Sequence, residues 1–469
     1  MIKQFLTFSY GSWVSAAISF LTTPVITLLI VPEEFGKAAM FALAISCVST
    51  VGVLGMDQSF IRMFYEKAED ERPALLWRCF AFAMAMTALI VCALLPFWRQ
   101  ISTALFEEPD FSAMLLLVGC LLLSVINRFA TNVIRMKKRG NVLSLSQIIC
   151  VTVHLAVVIV YALYAASTFH AIVWGTLFSV AASVLVNILP ERKFWGARVH
   201  KALFGRDDSK QVLSYGVPLV PVLIMTFLFQ AMDKIALRAY SSLDEIGLYA
   251  VANKFVFLLT IIYVSFSLFW SPVAFERYEK NNNDFRFFEK MFKTLAAAVL
   301  IAAGGMLLAK DVIVLLLAPP YRSAVMIMPF MIFVPMMHLL ADITGMGIGL
   351  KKKTYLHIVV VAAAALVNFA GNYYLIPVLG ARGAAISTGI AYVTYFALRT
   401  WISGRLFPAH YRITPFVPSL LLLTAFMYLN TFHVVPWWYN AAPATVAALL
   451  HRRIIAEFLR ESIREVRGQ

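Results

Sequence analysis

Seven charged residues stand inside, or at the ends of, long apolar runs: Arg62, Arg128, Lys234, Arg238, Asp57, Asp233 and Asp342. A charge in such a setting is costly in lipid, so it faces a cavity, a partner or the water beyond the run. Arg128 lies seven residues before Arg135, roughly 10 Å inside the end of its run at helical rise. There a guanidinium suits an anionic head group such as a diphosphate, through charge-assisted hydrogen bonds. Asp342 lies nine residues before Lys351. The plainer reading of both is snorkelling or a structural ion pair. Asp57 and Arg62 close the second run, in GMDQSFIRMFYE, where Arg62 is either a topology anchor or a ligand contact. Asp233, Lys234 and Arg238 close a later run, in QAMDKIALRAY. Lys234 and Arg238 share a helix face at i, i+4 and repel unless an anion or a carboxylate lies between them; the alternative is an outer-interface anchor.

Catalytic chemistry is poorly supported. The sequence has no Walker A loop, no HExxH, no GxSxG in a strand–turn–helix setting and no His/Cys set at metal-ligand spacing. Its five cysteines lie in or beside apolar runs and read as small buried residues. We expect no catalytic residues, no metal and no resident cofactor. His154 reads as a helix–helix hydrogen-bond partner or a proton relay. Asn127, Asn187, Asn253, Asn368 and Asn372 read as bonds between neighbouring helices or as cavity lining.

The elements that must position these residues are membrane helices. Of 469 residues, 61% are hydrophobic and only 14% charged, and runs of about 20 apolar residues recur along the chain. The runs are too long and too uniform for barrel strands. The fold class is therefore an all-α polytopic membrane protein with about fourteen transmembrane helices: two six-helix bundles related by an internal repeat, plus two C-terminal helices. The expected layout is a first bundle at 1–190, a cytoplasmic linker at 191–210, a second bundle at 211–403, two extra helices at 404–450 and a basic tail at 451–469 lying along the inner membrane surface.

Four matches carry the repeat. Ser9-Tyr10-Gly11 answers Ser214-Tyr215-Gly216, and Glu33-Glu34-Phe35-Gly36 answers Asp244-Glu245-Ile246-Gly247. Met136-Lys137-Lys138 answers Leu350-Lys351-Lys352, and Ala171-Ile172 with Gly175 answers Ala385-Ile386 with Gly389. The offset drifts only from 205 to 214, and Arg128 and Asp342 occupy the same repeat position. Internal repeats are a recurrent plan of transporters. Pro24, Pro218 and Pro221 fall in the first helix of each half, where they permit bending or fix a kink.

The basic excess sets orientation. Of 40 Lys and Arg, 31 fall on the side that holds both termini and eight on the other, with Arg128 inside a helix. By the positive-inside rule both termini are cytoplasmic. The net charge of +15 thus reflects topology and contact with anionic lipid, not nucleic acid. The opposite side has only short loops, such as RQISTALFEEPD and LAPPYRSA.

The stretches GVPLVPVLIMTFLFQAMDKIALRAYSSLDEIGLYAVANKF at 216–255 and NYYLIPVLGARGAAISTGIAY at 372–392 carry a family resemblance. The first holds Gly216, Pro218, Asp233, Gly247 and Tyr249. The second holds Leu375, Ile376, Pro377, Gly380, Gly383, Ala384 and Ala385. In both, the chain resembles the polysaccharide transporter family, the Wzx-type lipid-linked oligosaccharide flippases of the multidrug/oligosaccharidyl-lipid/polysaccharide exporter superfamily. The resemblance implies a V-shaped cavity between two bundles in the bacterial inner membrane. It also implies movement of an undecaprenyl-diphosphate-linked sugar repeat, a precursor of surface polysaccharide, O-antigen or exopolysaccharide, from the inner to the outer leaflet. Arg128, Arg62, Lys234 and Arg238 would then meet the diphosphate. Asp57, Asp233 and Asp342 would be the acceptors of any coupling proton or sodium ion. Partners would be the lipid-linked oligosaccharide, membrane lipids, and glycan polymerase and chain-length proteins. Competing readings are a cation-coupled multidrug exporter of the same superfamily, a peptidoglycan-precursor flippase, a membrane glycan polymerase or ligase, and a non-transporting assembly partner. Arg128 fits an anionic ligand better than a cationic drug, and the short outer loops tell against a polymerase.

Overall fold

An apolar run in lipid has no water to bond its amides, so it must close its hydrogen bonds within itself, as a helix. The computed structural model bears this out. It describes residues 2–197, 206–281, 284–351, 353, 355–409, 411, 416–452, 454 and 456. Among them helices and short 3₁₀ turns account for all regular structure, and there is no strand. Residues 198–205 of the expected linker and 457–469 of the expected surface-lying tail are outside the described residues.

The chain forms two compact units, Met1–Arg238 and Ala239–Gln469. The helices of the first are α1 (Ile2–Leu29), α2 (Pro32–Gly52), α3 (Met56–Met63), α4 (Arg72–Leu94), α5 (Trp98–Phe106), α6 (Phe111–Met136), α7 (Gly140–Tyr164), α8 (Phe169–Ile188), α9 (Arg192–Trp195), α10 (Arg206–Gly216) and α11 (Val220–Tyr240). Those of the second are α12 (Leu243–Lys280), α13 (Phe285–Leu315), α14 (Met328–Met331), α15 (Phe333–Thr344), α16 (Met346–Leu350), α17 (Tyr355–Leu379), α18 (Ala381–Leu406), α19 (Phe416–Phe432) and α20 (Ala441–Leu450).

The fold class stands, and the protein is a multi-pass membrane protein. The helix count and several boundaries differ from expectation. Ten helices among the described residues are long and apolar enough to span a bilayer, or eleven if the pair Pro319–Met326 and Met328–Thr344, bent by 54°, is one span. α18 is long enough but carries Arg382, Arg399 and Arg405, while α19 has 17 residues and α20 only 10. Pro436 and a 3₁₀ turn at Trp437–Asn440 use up the start of the expected last span. The second expected helix breaks at Val53–Gly55, where Leu54 and Gly55 take φ of 53° and 68°. RQISTALFEEPD, read as loop, is largely the helix α5. Pro24 sits within a continuous α1, whereas Pro218 lies in a 3₁₀ turn, Val217–Leu219, that separates α10 from α11.

The repeat has a structural counterpart. Glu34 accepts a hydrogen bond from the Phe169 amide at 2.6 Å, capping α8. Glu245, its repeat mate, accepts from the Ala381 amide at 2.7 Å, capping α18. A carboxylate at a helix start satisfies an otherwise orphaned donor and meets the positive end of the helix dipole.

Candidate functional site

In the first unit, two aromatic pairs orient α6. Phe129 packs edge-on against Phe60 of α3 at 6.3 Å and against Phe80 of α4 at 5.7 Å, and all of Phe129 is buried. With Phe129 turned inward, its neighbour Arg128 projects to the side. The break at Val53–Gly55 starts a new helix, α3, and Asp57 stands in its first turn, 3% exposed. The two meet: Arg128 Nε donates to Asp57 Oδ2 at 2.9 Å. Gln58 also donates to Oδ2, at 3.1 Å.

Both residues line a groove of about 380 Å³. Its wall carries the hydroxyls of Ser46, Ser49, Thr50 and Thr226, the amide of Gln230 and the ring of Phe227. Arg128 keeps 39% of its side chain exposed against 4% for Asp57. Among the described residues the two terminal nitrogens of Arg128 donate to no protein acceptor. The arrangement is thus one guanidinium anchored from behind by a buried carboxylate, its free fork directed into a hydroxyl-lined groove. Such a fork offers paired donors to phosphate oxygens, and the hydroxyls suit a polyol.

The other expected residues sit elsewhere. Arg62, in the last turn of α3, is exposed and pairs with Glu66 in the turn that follows the helix. Arg238 closes α11 and clamps the end of α5: it donates to the Ala104 carbonyl at 2.7 Å, the Thr103 carbonyl at 3.3 Å and Glu107 at 3.0 Å. A carboxylate and two carbonyls therefore answer the charge that the sequence left open. Asp233 is buried and Lys234 half-buried on α11, and neither lines the groove. Asn127 and Asn187 bond α6 to α8, with Ser183 donating to Asn127 at 2.9 Å and Asn187 donating to Thr131 at 3.3 Å. Asn368 does the same for α17 and α18, donating to Thr388 at 3.1 Å, while Asn372 donates to Asn368 within α17, also at 3.1 Å.

The second unit holds a partner that sequence reasoning missed. Asp342 of α15 accepts from Arg399 of α18 at 2.8 Å and from Ser267 of α12 at 2.5 Å. Arg399 also donates to the Tyr395 hydroxyl at 2.8 Å. His338, one turn before Asp342, stacks on Tyr263 at 4.5 Å and stands edge-on to Tyr395 at 5.4 Å. Arg399 is that missed partner. The signal that could have found it is its depth: it precedes Arg405 by six residues in an otherwise apolar run. Lys37 and Lys310 are likewise buried in helices and paired, Lys37 with Glu34 and Glu108 at 2.9 Å each and Lys310 with Asp311 at 2.5 Å. Among the described residues no group of three His, Cys, Asp or Glu could hold a metal.

Comparison with known proteins agrees with this architecture. The model of the family described as "Polysaccharide biosynthesis protein" matches residues 2–278. Among solved structures, a lipid II flippase MurJ in an inward closed conformation is 14% identical, with 97% of this chain and 99% of that one covered and a TM-score of 0.70. An inward-facing multidrug resistance MATE family transporter of the MOP superfamily is 14% identical over 85% of this chain and 95% of its own, at a TM-score of 0.63. An outward-facing one is 13% identical over 87% and 96%, at 0.55. At such identities the likeness is one of fold. No curated protein matches the sequence.

Proposed function

The chain belongs to the polysaccharide biosynthesis protein family, and from that premise we propose that it is a flippase. It carries an undecaprenyl-diphosphate-linked oligosaccharide, a precursor of surface polysaccharide, O-antigen or exopolysaccharide, across the inner membrane by alternating access. The observation that supports this reading is Arg128: a half-exposed guanidinium held by buried Asp57, with two free donor nitrogens facing hydroxyl-bearing side chains. A diphosphate brings negative charge into a greasy setting and needs such a fork. The sugars need the hydroxyls and the amide, and the polyprenyl tail can stay in lipid. The transport-type fold shared with a lipid II flippase supports the same reading. Both termini lie in the cytoplasm, and Asp57, Asp233 and Asp342 are the groups to test for proton or sodium coupling. Arg62, Lys234 and Arg238 rank behind Arg128 as diphosphate contacts, because Arg62 and Arg238 already have carboxylate partners and Lys234 lies off the groove.

A double-mutant cycle in the host's deletion strain tests the proposal. The variants are Arg128→Gln, Asp57→Asn and the pair together. Surface glycan and accumulated lipid-linked oligosaccharide are measured beside the folded yield of each variant. Arg128→Gln strands a buried carboxylate, at a cost of about 3–5 kcal/mol for breaking a buried pair. Removing both charges should restore folding. If Arg128 binds substrate, the double variant folds but leaves surface glycan absent and the lipid-linked repeat accumulated. A double variant that restores both folding and surface glycan would sink the role of Arg128. Unchanged glycan in the deletion strain, with increased sensitivity to cationic dyes, would overturn the flippase reading in favour of a multidrug exporter.

A further inference from the structure

The first unit has a second concavity, which shares no lining residue with the Arg128 groove, where the ends of α6 and α8 meet α9. The chain leaves α6 through Lys138 at φ 56°, and leaves α8 through the 3₁₀ turn Leu189–Glu191 into α9. Between them lies an open pocket of about 740 Å³. Lys137, Arg139, Arg192 and Lys193 line it, with Glu191 as the acid among its lining residues. Glu191 is 4% exposed and is shared by Lys137 and by Arg139 Nε, the latter at 2.8 Å. Lys137 Nζ also stands 4.3 Å from the Phe194 ring centre. Arg192 and Lys193 are exposed and have no ion pair among the described residues. No acid follows in the sequence until Asp207. Four cations against one carboxylate repel one another unless an anion joins them.

An apolar stripe leads out of the pocket. Leu189, which lines it, is 63% exposed, Leu185 is 59% exposed and Phe178 49%. At separations of seven and eleven residues these three fall within about 40° of one another along α8 and its helical C-cap Leu189, over a length of about 16 Å. That length is close to half of a hydrocarbon core about 30 Å thick, the depth of one leaflet. A soluble anion has no use for such a stripe. The basic face is also the one that the Lys/Arg bias assigns to the cytoplasmic leaflet, which carries the anionic lipids.

We infer that this pocket is a binding site for an anionic phospholipid. Arg192 and Lys193 take the phosphate, Lys137 and Arg139 stand behind it, and an acyl chain lies along Leu189, Leu185 and Phe178. The shared chemistry is that of any phosphate anion, and the stripe selects the membrane lipid over a free phosphate. The site holds whatever substrate the protein moves, so its test needs no transport measurement.

The purified full-length protein is titrated in detergent with phosphatidylglycerol, phosphatidylcholine or inorganic diphosphate, and bound ligand is counted by native mass spectrometry. The variant is Arg192→Gln with Lys193→Gln, two exposed positions whose loss leaves the described ion pairs intact. Each basic residue near an anionic surface is worth about fivefold in affinity, so the double variant should bind phosphatidylglycerol roughly 20-fold more weakly. Phosphatidylcholine should bind weakly and equally to both proteins. A second variant, Leu189→Asn, should weaken phosphatidylglycerol and leave diphosphate unchanged. Equal phosphatidylglycerol affinity in wild type and double variant would overturn the site. Displacement of the lipid by diphosphate at equal concentration would also overturn it, leaving a soluble-anion site instead.

Discussion

At the scale of single residues, each unit contains an intramembrane ion pair whose members come from different helices: Asp57 with Arg128, and Asp342 with Arg399. The pairs differ in exposure. Arg128 is 39% exposed beside its groove, whereas Arg399 is 11% exposed and shared with Tyr395. The second pair therefore reads as a fastening between α15 and α18. Arg399→Gln should lower the unfolding temperature of the purified protein by an amount equivalent to about 3–5 kcal/mol, and Asp342→Asn in the same chain should recover most of it. A thermal-shift series over the four proteins checks this. A pH effect belongs to Asp110, the N-cap of α6. Burial works to raise its pKa, but bonds from the Ala113 amide and Ser112 hydroxyl and the nearby His170 ring outweigh it and hold the carboxyl below its ordinary 3.8. A depressed pKa stabilises the folded state above the ordinary value and loses that contribution as pH falls through the folded one. Wild type should thus lose stability below about pH 4, and Asp110→Asn should lose less over the same window. Unfolding temperatures between pH 3 and 7 give the comparison.

At the scale of elements, the repeat is a matter of caps and breaks. Glu34 and Glu245 each hold the first amide of the sixth long helix of their half. Glu245→Gln should cost about 1 kcal/mol, the usual worth of a helix cap, and Glu34→Gln should cost more, because Glu34 also pairs with buried Lys37. Hydrogen exchange at the starts of α8 and α18 reads each cap locally. The break between α2 and α3 depends on Gly55. Its φ of 68° lies in the left-handed region, and a Cβ there would come 2.4 Å from the Gly216 carbonyl oxygen of α10. Gly55→Ala should cost about 1–2 kcal/mol for handedness alone, with more for displacing α10. It should also shift Asp57 relative to Arg128. Folded yield and glycan export in the host report the two effects separately.

At the scale of the whole molecule, the alternation of apolar spans and basic connections predicts which way the chain faces. Single cysteines at Lys138, Asn281 and Lys351, in a chain freed of its native cysteines, should react with a membrane-impermeant reagent only after the cell is opened. Cysteines at Glu107, Ser167 and Arg322, all exposed, should react from outside. Reaction of either set from the opposite side would reverse the topology. Fold class, the multi-pass layout, the repeat and most span boundaries were legible in the sequence, because each depends on local quantities. An apolar run of a certain length must be helical in lipid, and basic residues accumulate at its cytoplasmic end. Arg128 was legible as a charge out of place for the same reason. The rest was not local. Asp57 lies 71 residues from Arg128, and only the packing of Phe129 against Phe60 and Phe80 rotates α6 so that the two meet. Arg399 reaches Asp342 only because α18 packs on α15, and Arg238 lost its open charge only when α5 formed where a loop was expected. Apolar length thus determined a multi-pass helical fold, and the charge bias supplies the expected orientation that the cysteine labelling tests. Helix rotation and helix–helix packing, set by side chains far apart in the chain, decided which of the buried charges neutralise one another and left the paired Arg128 partly exposed beside a groove.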